Sequence, residues 1–145
     1  MIKIGITGQA GFVGNHLYTT LSLDDAIKLI PFERSYFDDQ SALENFVSQC
    51  DTIVHLAAMN RHEDANVIYQ TNLKLVEALI TACTNKGVTP HIIFSSSSQE
   101  DRDNLYGQSK KEGKEKFVAW AAKRGGKFTS LTIPNVFGPF GKPNY

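Results

Sequence analysis

Short apolar runs alternate with amphipathic helical patterns along the whole chain, and few folds can accommodate this order. Runs rich in Ile, Val, Leu and Phe predict five strands, over residues 2–6, 26–32, 52–56, 91–95 and 129–133. Apolar residues at helical spacing predict four helices, over residues 12–23, 41–49, 66–86 and 106–123. Strands that are apolar on both faces and joined by helices predict an α/β fold, a doubly wound parallel sheet with helices on both faces.

The composition predicts one domain over residues 1–145 and argues against several classes of partner. Fifteen basic and fifteen acidic side chains are scattered along the chain, so we expect no basic face for nucleic acid. No charged leader is visible, and no apolar run approaches the roughly 20 residues that span a bilayer, so we expect a cytoplasmic protein without membrane contact. Cys50 and Cys83 have no Cys-x-x-Cys partner and are interpreted as core thiols. No metal site is expected, because the four histidines do not cluster with acids at ligand spacing.

A glycine-rich loop, residues 7–14, directly follows the first strand and opens the first helix. Backbone N–H groups and the helix dipole at such a position can hold a pyrophosphate. The spacing assigns a tight turn to one glycine, close approach to phosphate to the next, and close helix packing to the third. A glycine-rich turn with no ligand is the alternative. The predicted dinucleotide contacts here are Gly8, Gly11, Phe12, Val13 and Gly14.

Glu33 and Arg34 stand at the end of the second strand, where a dinucleotide site meets the adenosine ribose. A glutamate there favours NADH, because it can accept hydrogen bonds from the ribose hydroxyls. An arginine can pair with a phosphate on the ribose and favours NADPH. We predict NADPH, with NADH as the weaker candidate. The alternative is that Arg34 is a solvated surface charge.

Lys110 lies four positions after Tyr106, which places both side chains on one face of the fourth helix, with their Cβ atoms about 5 to 6 Å apart. A nearby ammonium favours phenolate and lowers the pKa of a phenol, so the tyrosine can exchange a proton with a sugar oxygen. Taken alone, such a pair is more often a surface pair.

A run of four serines, residues 95–98, ends the fourth strand and can hydrogen-bond the reacting oxygen, although a serine-rich turn is the alternative. The glycine loop, residues 33–34, residues 55–58, the serine run and Pro134-Asn135 all fall at the carboxyl ends of predicted strands. Parallel sheets bind their ligands at that edge, so we expect these sites to converge.

With these motifs the chain resembles the extended short-chain dehydrogenase/reductase family, whose members act on nucleotide sugars. The family's phosphate loop, Thr-Gly-x-x-Gly-Phe-x-Gly, is met by residues 7–14, and its His-Leu-Ala-Ala segment by residues 55–58. Its inward helix asparagine matches Asn72, and its Asn-Val-Tyr-Gly-Pro loop matches residues 135–139, with Phe137 in place of tyrosine.

The resemblance implies a Rossmann-like dinucleotide-binding domain, an N-terminal fragment truncated before the C-terminal substrate domain. It implies a catalytic trio of Ser97, Tyr106 and Lys110. The further cofactor contacts that it implies are Leu56, Ala57, Ala58, Asn72, Lys110 and Asn135. Ser98 and Gln99 stand where family dehydratases carry an acidic pair, so dehydration of the sugar is not expected. The family also implies a homodimer through the third and fourth helices.

A narrower likeness, to bacterial reductases of capsule and O-antigen synthesis, covers residues 59–61, 106–113, 134–138 and 142–145. It implies reduction of a UDP-linked 4-keto amino-deoxysugar with NADPH. A nucleotide-sugar 4-epimerase is the alternative enzyme, because it uses the same trio but recycles its cofactor. A non-catalytic dinucleotide-binding module is the alternative from another class, although such a module has no need of Tyr106.

Overall fold

The structure is a computed structural model that describes residues 1–141, and residues 142–145 of the narrower likeness lie outside the described residues. Its strands are β1 (Ile2–Thr7), β2 (Ile27–Ile30), β3 (Thr52–His55), β4 (His91–Ser97) and β5 (Phe128–Ile133). Its helices are α1 (Phe12–Leu21), α2 (Gln40–Ser48), α3 (Ala65–Lys86) and α4 (Leu105–Arg124), and a short 3-10 helix spans Arg34–Asp38.

The strands form one parallel sheet in the order β2-β1-β3-β4-β5. The crossover from β1 to β2 runs to one side of β1, and the crossover from β2 to β3 returns to the other side, where β4 and β5 follow, so the sheet is doubly wound. The predicted α/β fold is therefore confirmed.

Three helices, α2, α3 and α4, pack side by side against one face of the sheet, and α1 packs on β1 and β2 away from them. Most of the core lies between the sheet and the three helices, where Ile53, Phe94, Leu79 and Phe117 are almost completely buried. Cys83 belongs to this core and Cys50 packs against it, so both thiols are core residues as predicted. Burial raises the pKa of each thiol to about 12. Among the described residues no helix is both long and apolar enough to cross a bilayer.

Two strands differ in length from the prediction by more than one residue. β2 covers only Ile27–Ile30, because Pro31 has no N–H to donate to a neighbouring strand. β4 continues to Ser97, since Ser95, Ser96 and Ser97 pair in register with the last three residues of β5. The second difference matters for the site, because it places the first three serines of the run inside the sheet.

Candidate active site

One cavity of about 410 Å³ opens at the carboxyl ends of β1, β3, β4 and β5. It brings together most of the residues that the sequence singled out, namely Gly8, Gly11, Phe12, Val13, Gly14, Leu56, Ala58, Ser97, Tyr106, Lys110 and Asn135. Arg34, Ala57 and Asn72 are not part of its lining. The glycine loop and the tyrosine–lysine pair thus face one shared space.

The glycine loop is shaped by close contacts of its own backbone. Gly8 has a φ of +75°, and a Cβ there would lie 2.9 Å from the backbone nitrogen of Ala57. A Cβ on Gly14 would lie 2.1 Å from the carbonyl oxygen of Gly8, so only glycine lets the helix begin at this distance from the loop. Gly11 is exposed and lines the cavity, which leaves its backbone open to a ligand. These observations fit a dinucleotide pyrophosphate.

The N-terminus of α1 lacks a polar side chain to cap it, unlike the other three α-helices. Asp39 caps α2 by accepting from the N–H of Ala42 at 3.1 Å. Asp64 and Asn104 cap α3 and α4 in the same way. At α1 the capping position is Gly11, without a side chain, and no acidic residue lies in the first turn. A bound anion fits this end of the helix, where the dipole is positive.

Thr7 and His55 join the glycine loop to the end of β3. Both are buried, and Thr7 Oγ1 lies 2.7 Å from His55 Nδ1. The same oxygen accepts from the N–H groups of Leu56 and Ala57, so its own hydrogen is left to donate to Nδ1. Burial, with a smaller effect of the Lys110 charge, lowers the pKa of His55 to about 3. His55 is therefore a neutral core histidine that holds the loop.

Asn72 is buried on α3 beneath the cavity, where it fixes the segment after β3. Its Oδ1 accepts from the N–H of Met59 at 2.7 Å, and its Nδ2 donates to the Met59 carbonyl at 2.9 Å. Nδ2 also donates to Ser109 Oγ, which in turn donates to the Tyr106 carbonyl. Asn72 thus ties the β3–α3 connection to the first turn of α4. These contacts place it as a support of the cavity wall.

Lys110 reaches from α4 to the sheet and is almost completely buried. Its Nζ donates to the carbonyl of Ser95 at 2.9 Å and lies 5.9 Å from the centre of the Tyr106 ring. The Phe94 ring approaches the same nitrogen, with 4.9 Å between Nζ and the ring centre. Burial lowers the pKa of Lys110 to about 8, so the group is still mostly charged at pH 7.

Ser97 is the serine whose hydroxyl is best placed to serve a ligand. Its Oγ accepts from the N–H of Gln99 at 3.1 Å, which leaves the hydroxyl hydrogen to donate. Ser95 Oγ instead donates to the carbonyl of His55, and Ser96 Oγ donates to Glu100. All three serines line the cavity, but two of the hydroxyl hydrogens have partners in the protein.

The lining also includes Asn60, Arg61 and Gln99, which were not among the predicted site residues. They follow the carboxyl ends of β3 and β4, and that position was the signal that could have identified them. Lys110 and Arg61 are the charged residues among the described lining, and both are cationic. The cavity is therefore suited to an anionic ligand.

Arg34 begins the 3-10 helix after β2 and is exposed. The neighbouring strand end is held by Gln9, whose Nε2 donates to the carbonyl of Phe32 at 3.0 Å. Arg34 therefore lies at the sheet edge on which the cavity opens, beyond its lining.

Comparison with known proteins agrees with this arrangement. The model of the NAD dependent epimerase/dehydratase family matches residues 4–145. The chain belongs to this family. The matched range includes the glycine loop, Tyr106 and Lys110, so the residues that line the cavity belong to the part of the chain that matches the family.

Two curated relatives are enzymes of nucleotide- or diphosphate-linked sugars. One, the UDP-2-acetamido-2,6-beta-L-arabino-hexul-4-ose reductase of Pseudomonas aeruginosa, is 33% identical over 99% of this chain and 38% of its own length. The other, the N-acetyl-alpha-D-glucosaminyl-diphospho-ditrans,octacis-undecaprenol 4-epimerase of Escherichia coli O157:H7, is 30% identical over 96% of this chain and 49% of its own length. The chain thus spans at most about half the length of these relatives.

A solved structure with the same fold is that of the capsular polysaccharide assembling protein CapF from Staphylococcus aureus. It superimposes with a TM-score of 0.79 at 30% identity and covers 99% of this chain and 37% of its own.

Proposed function

We propose that this chain is the cofactor-binding part of a reductase that uses NADPH to reduce a UDP-linked 4-keto-deoxysugar for capsule or O-antigen polysaccharide. One observation carries the proposal: Tyr106, Lys110 and Ser97 line the same cavity as the glycine loop. The likeness to the Pseudomonas aeruginosa reductase supports the class of substrate. Bound NADPH supplies a hydride to the carbonyl carbon of the sugar.

The side chains of this site have distinct parts in the reaction. The Tyr106 hydroxyl donates its proton to the carbonyl oxygen of the sugar as that oxygen gains negative charge. The Lys110 ammonium, 5.9 Å from the tyrosine ring, stabilises the phenolate that remains. Ser97 donates its hydroxyl hydrogen to the same oxygen, since its Oγ already accepts from Gln99. The lining lacks the acidic pair of the family dehydratases, since Ser98 and Gln99 stand in its place.

Substitution of Tyr106 by phenylalanine tests this assignment. We expect Tyr106→Phe to lower the rate of keto-sugar reduction by roughly 10²- to 10⁴-fold, because the proton donor is removed while the ring still packs. NADPH oxidation by the full-length enzyme, as parent and as variant, is the measurement. Tyr18→Phe, on the exposed side of α1, is the matched control and should keep the parent's rate. An unchanged rate in Tyr106→Phe contradicts the assignment.

A nucleotide-sugar 4-epimerase is the second candidate, favoured by the likeness to the Escherichia coli 4-epimerase. An epimerase returns the hydride to the sugar and leaves its cofactor unchanged after each turnover. Product that accumulates without matching consumption of NADPH supports the epimerase, whereas one NADPH consumed per product supports the reductase.

Arg34 is proposed to select NADPH by pairing with the phosphate on the adenosine ribose. Its exposed position after β2 leaves the guanidinium accessible to such a phosphate. We expect Arg34→Ala to weaken NADPH binding about 10-fold or more and to leave NADH binding nearly unchanged. Side-by-side fluorescence titrations measure both affinities. Equal affinities for the two cofactors in the parent contradict the preference.

A homodimer through α3 and α4 stays a prediction from the resemblance.

A further inference from the structure

Glu100, in the loop between β4 and α4, contacts both of the elements that it joins. Ser96 Oγ, on β4, donates to its carboxylate, and Lys114 Nζ, on α4, lies 2.5 Å from Oε1. The backbone N–H of Glu100 also donates to the carbonyl of Ser97 at 3.0 Å. We call Ser96, Glu100 and Lys114 the Glu100 bridge. Ser96 lines the cavity, whereas Glu100 and Lys114 do not, so the ion pair of the bridge lies behind the site.

The bridge differs from an ordinary surface ion pair in its burial. The Glu100 side chain is only 12% exposed, and that of Lys114 is 30% exposed. The hydrogen bonds from Lys114 and Ser96 hold the pKa of Glu100 below its usual range, so the carboxylate is charged at neutral pH. By contrast, Lys116 on the same helix pairs with Glu77 at 3.1 Å, and those side chains are 40% and 57% exposed. Such exposed pairs contribute little to stability.

The position of the bridge relates it to the reacting groups. Ser96 immediately precedes Ser97, and Lys114 lies one helical turn beyond Lys110. The loop between them is tightly fitted to α4: a Cβ on Gly107 would lie 1.8 Å from the carbonyl oxygen of Gln99. A shift of this loop therefore moves Ser97 relative to the start of α4.

We propose that Glu100 is a positioning residue, whose carboxylate holds the strand that ends at Ser97 against the helix that carries Tyr106 and Lys110. The distance across the reaction site, between serine and tyrosine, is then set by the bridge. This inference rests on the proposed function, because it assigns the bridge to that reaction. Small displacements of reacting groups cost large factors in rate, so loss of the bridge affects turnover more than binding.

The test is made in the full-length enzyme and compares Glu100→Gln, Lys114→Met and the double variant with the parent in NADPH-dependent reduction of the keto-sugar. Each single variant should lower kcat about 10- to 100-fold, while KM for the sugar and Kd for NADPH change less than roughly threefold. The double variant should be no slower than the slower single variant, because each change already breaks the same contact. Glu77→Gln, which breaks the exposed pair with Lys116, is the matched control and should keep the parent's kcat.

Three results overturn the inference: a parental kcat in Glu100→Gln, losses of kcat that multiply in the double variant, or an NADPH affinity that falls in parallel with kcat. The third result shows general disruption of the domain. Should Glu100→Gln fail to fold, the kcat and Kd of Lys114→Met decide by the same criteria. A full-length parent enzyme that binds NADPH but reduces no keto-sugar overturns the proposed function itself, and with it the inference.

Discussion

The Lys110 side chain is buried, and burial disfavours its charged form. The ammonium is surrounded by the Phe94 and Tyr106 rings, and the carbonyl of Ser95 accepts its hydrogen bond. One hydrogen bond to a neutral carbonyl does not replace the water that a lysine loses on burial, which is why its pKa falls to about 8. The lysine that we propose assists the reaction therefore reduces the stability of the fold.

Replacement of Lys110 by methionine is expected to abolish turnover and yet raise the free energy of unfolding at pH 7 by on the order of 1 kcal/mol. The gain stays small because the Ser95 carbonyl loses its partner. Urea denaturation of parent and Lys110→Met measures the difference. A less stable variant contradicts the prediction, and Lys111→Met, at the exposed neighbouring position, is the control.

The same group predicts a pH dependence with a definite sign. Folding lowers the pKa of Lys110 from 10.5 to about 8, so between these values the unfolded chain binds more protons than the folded one. The contribution of Lys110 to the stability of the parent therefore rises as pH increases from 8 to 10.5, and the advantage of Lys110→Met shrinks. Denaturation at several pH values in this window tests it. A difference that does not change with pH refutes the buried charge.

The sequence predicts the face that Tyr106 and Lys110 share, because their spacing fixes it on any helix. It cannot predict that Lys110 binds the carbonyl of Ser95, since that contact depends on how α4 docks against β4. Nor can it predict the Glu100 bridge, which joins residues on two elements and a loop. Asn72 was predicted to point inward and does so, but its partner at Met59 lies in a loop without regular periodicity, so the contact itself could not be predicted.

At the scale of elements, the start of α4 depends on the absence of a side chain at Gly107. A Cβ there would lie 1.8 Å from the carbonyl oxygen of Gln99, a backbone atom that cannot rotate away. We expect Gly107→Ala to destabilise the protein by about 1–3 kcal/mol and to slow turnover, because the loop that follows Ser97 must move. Thermal unfolding and the reductase assay measure the two effects.

Gly113→Ala is the matched control in the same helix. Its Cβ would meet only side-chain atoms, 3.2 Å from Val76 and 3.4 Å from Phe94, which can shift. Alanine also favours a helix over glycine by up to about 1 kcal/mol, so we expect a much smaller loss of stability. Equal losses in the two variants contradict the importance of the Gln99 contact.

Element bounds follow the sequence most closely where a local signal marks them. α3 ends at Lys86 as predicted, because Gly87 adopts a φ of +64° that stops a helix. The 3-10 helix at Arg34–Asp38 was not predicted. Its Tyr36 and Phe37 are adjacent in sequence and both pack on Phe32, so they show no helical spacing of apolar residues. Short helices of this kind arise from packing more than from periodicity.

For the whole molecule, we expect bound NADPH to raise the free energy of unfolding, because it binds the folded chain and not the unfolded one. NADPH at about 100 times its Kd should stabilise the folded chain by about 2.7 kcal/mol and raise Tm by roughly 5 to 15 °C. Gly14→Ala should lose most of this rise, because its Cβ would force the glycine loop apart. Differential scanning fluorimetry with and without NADPH measures it.

Gly87→Ala provides the control, since it strains the end of α3 without a neighbour within 4 Å. It should lower the Tm of the empty protein and keep the full rise on addition of NADPH. Loss of the rise in both variants contradicts a specific effect of the glycine loop.

The first helix, α1, lacks the side-chain cap that normally satisfies the N–H groups of the first turn. Three other helices supply an aspartate or asparagine to their own opening turn, whereas the start of α1 offers only Gly11. An anion bound there would accept hydrogen bonds from the free N–H groups of the first turn and would cap α1 as well as occupy the cavity. We therefore expect the first turn of α1 to fray more when no anion is bound.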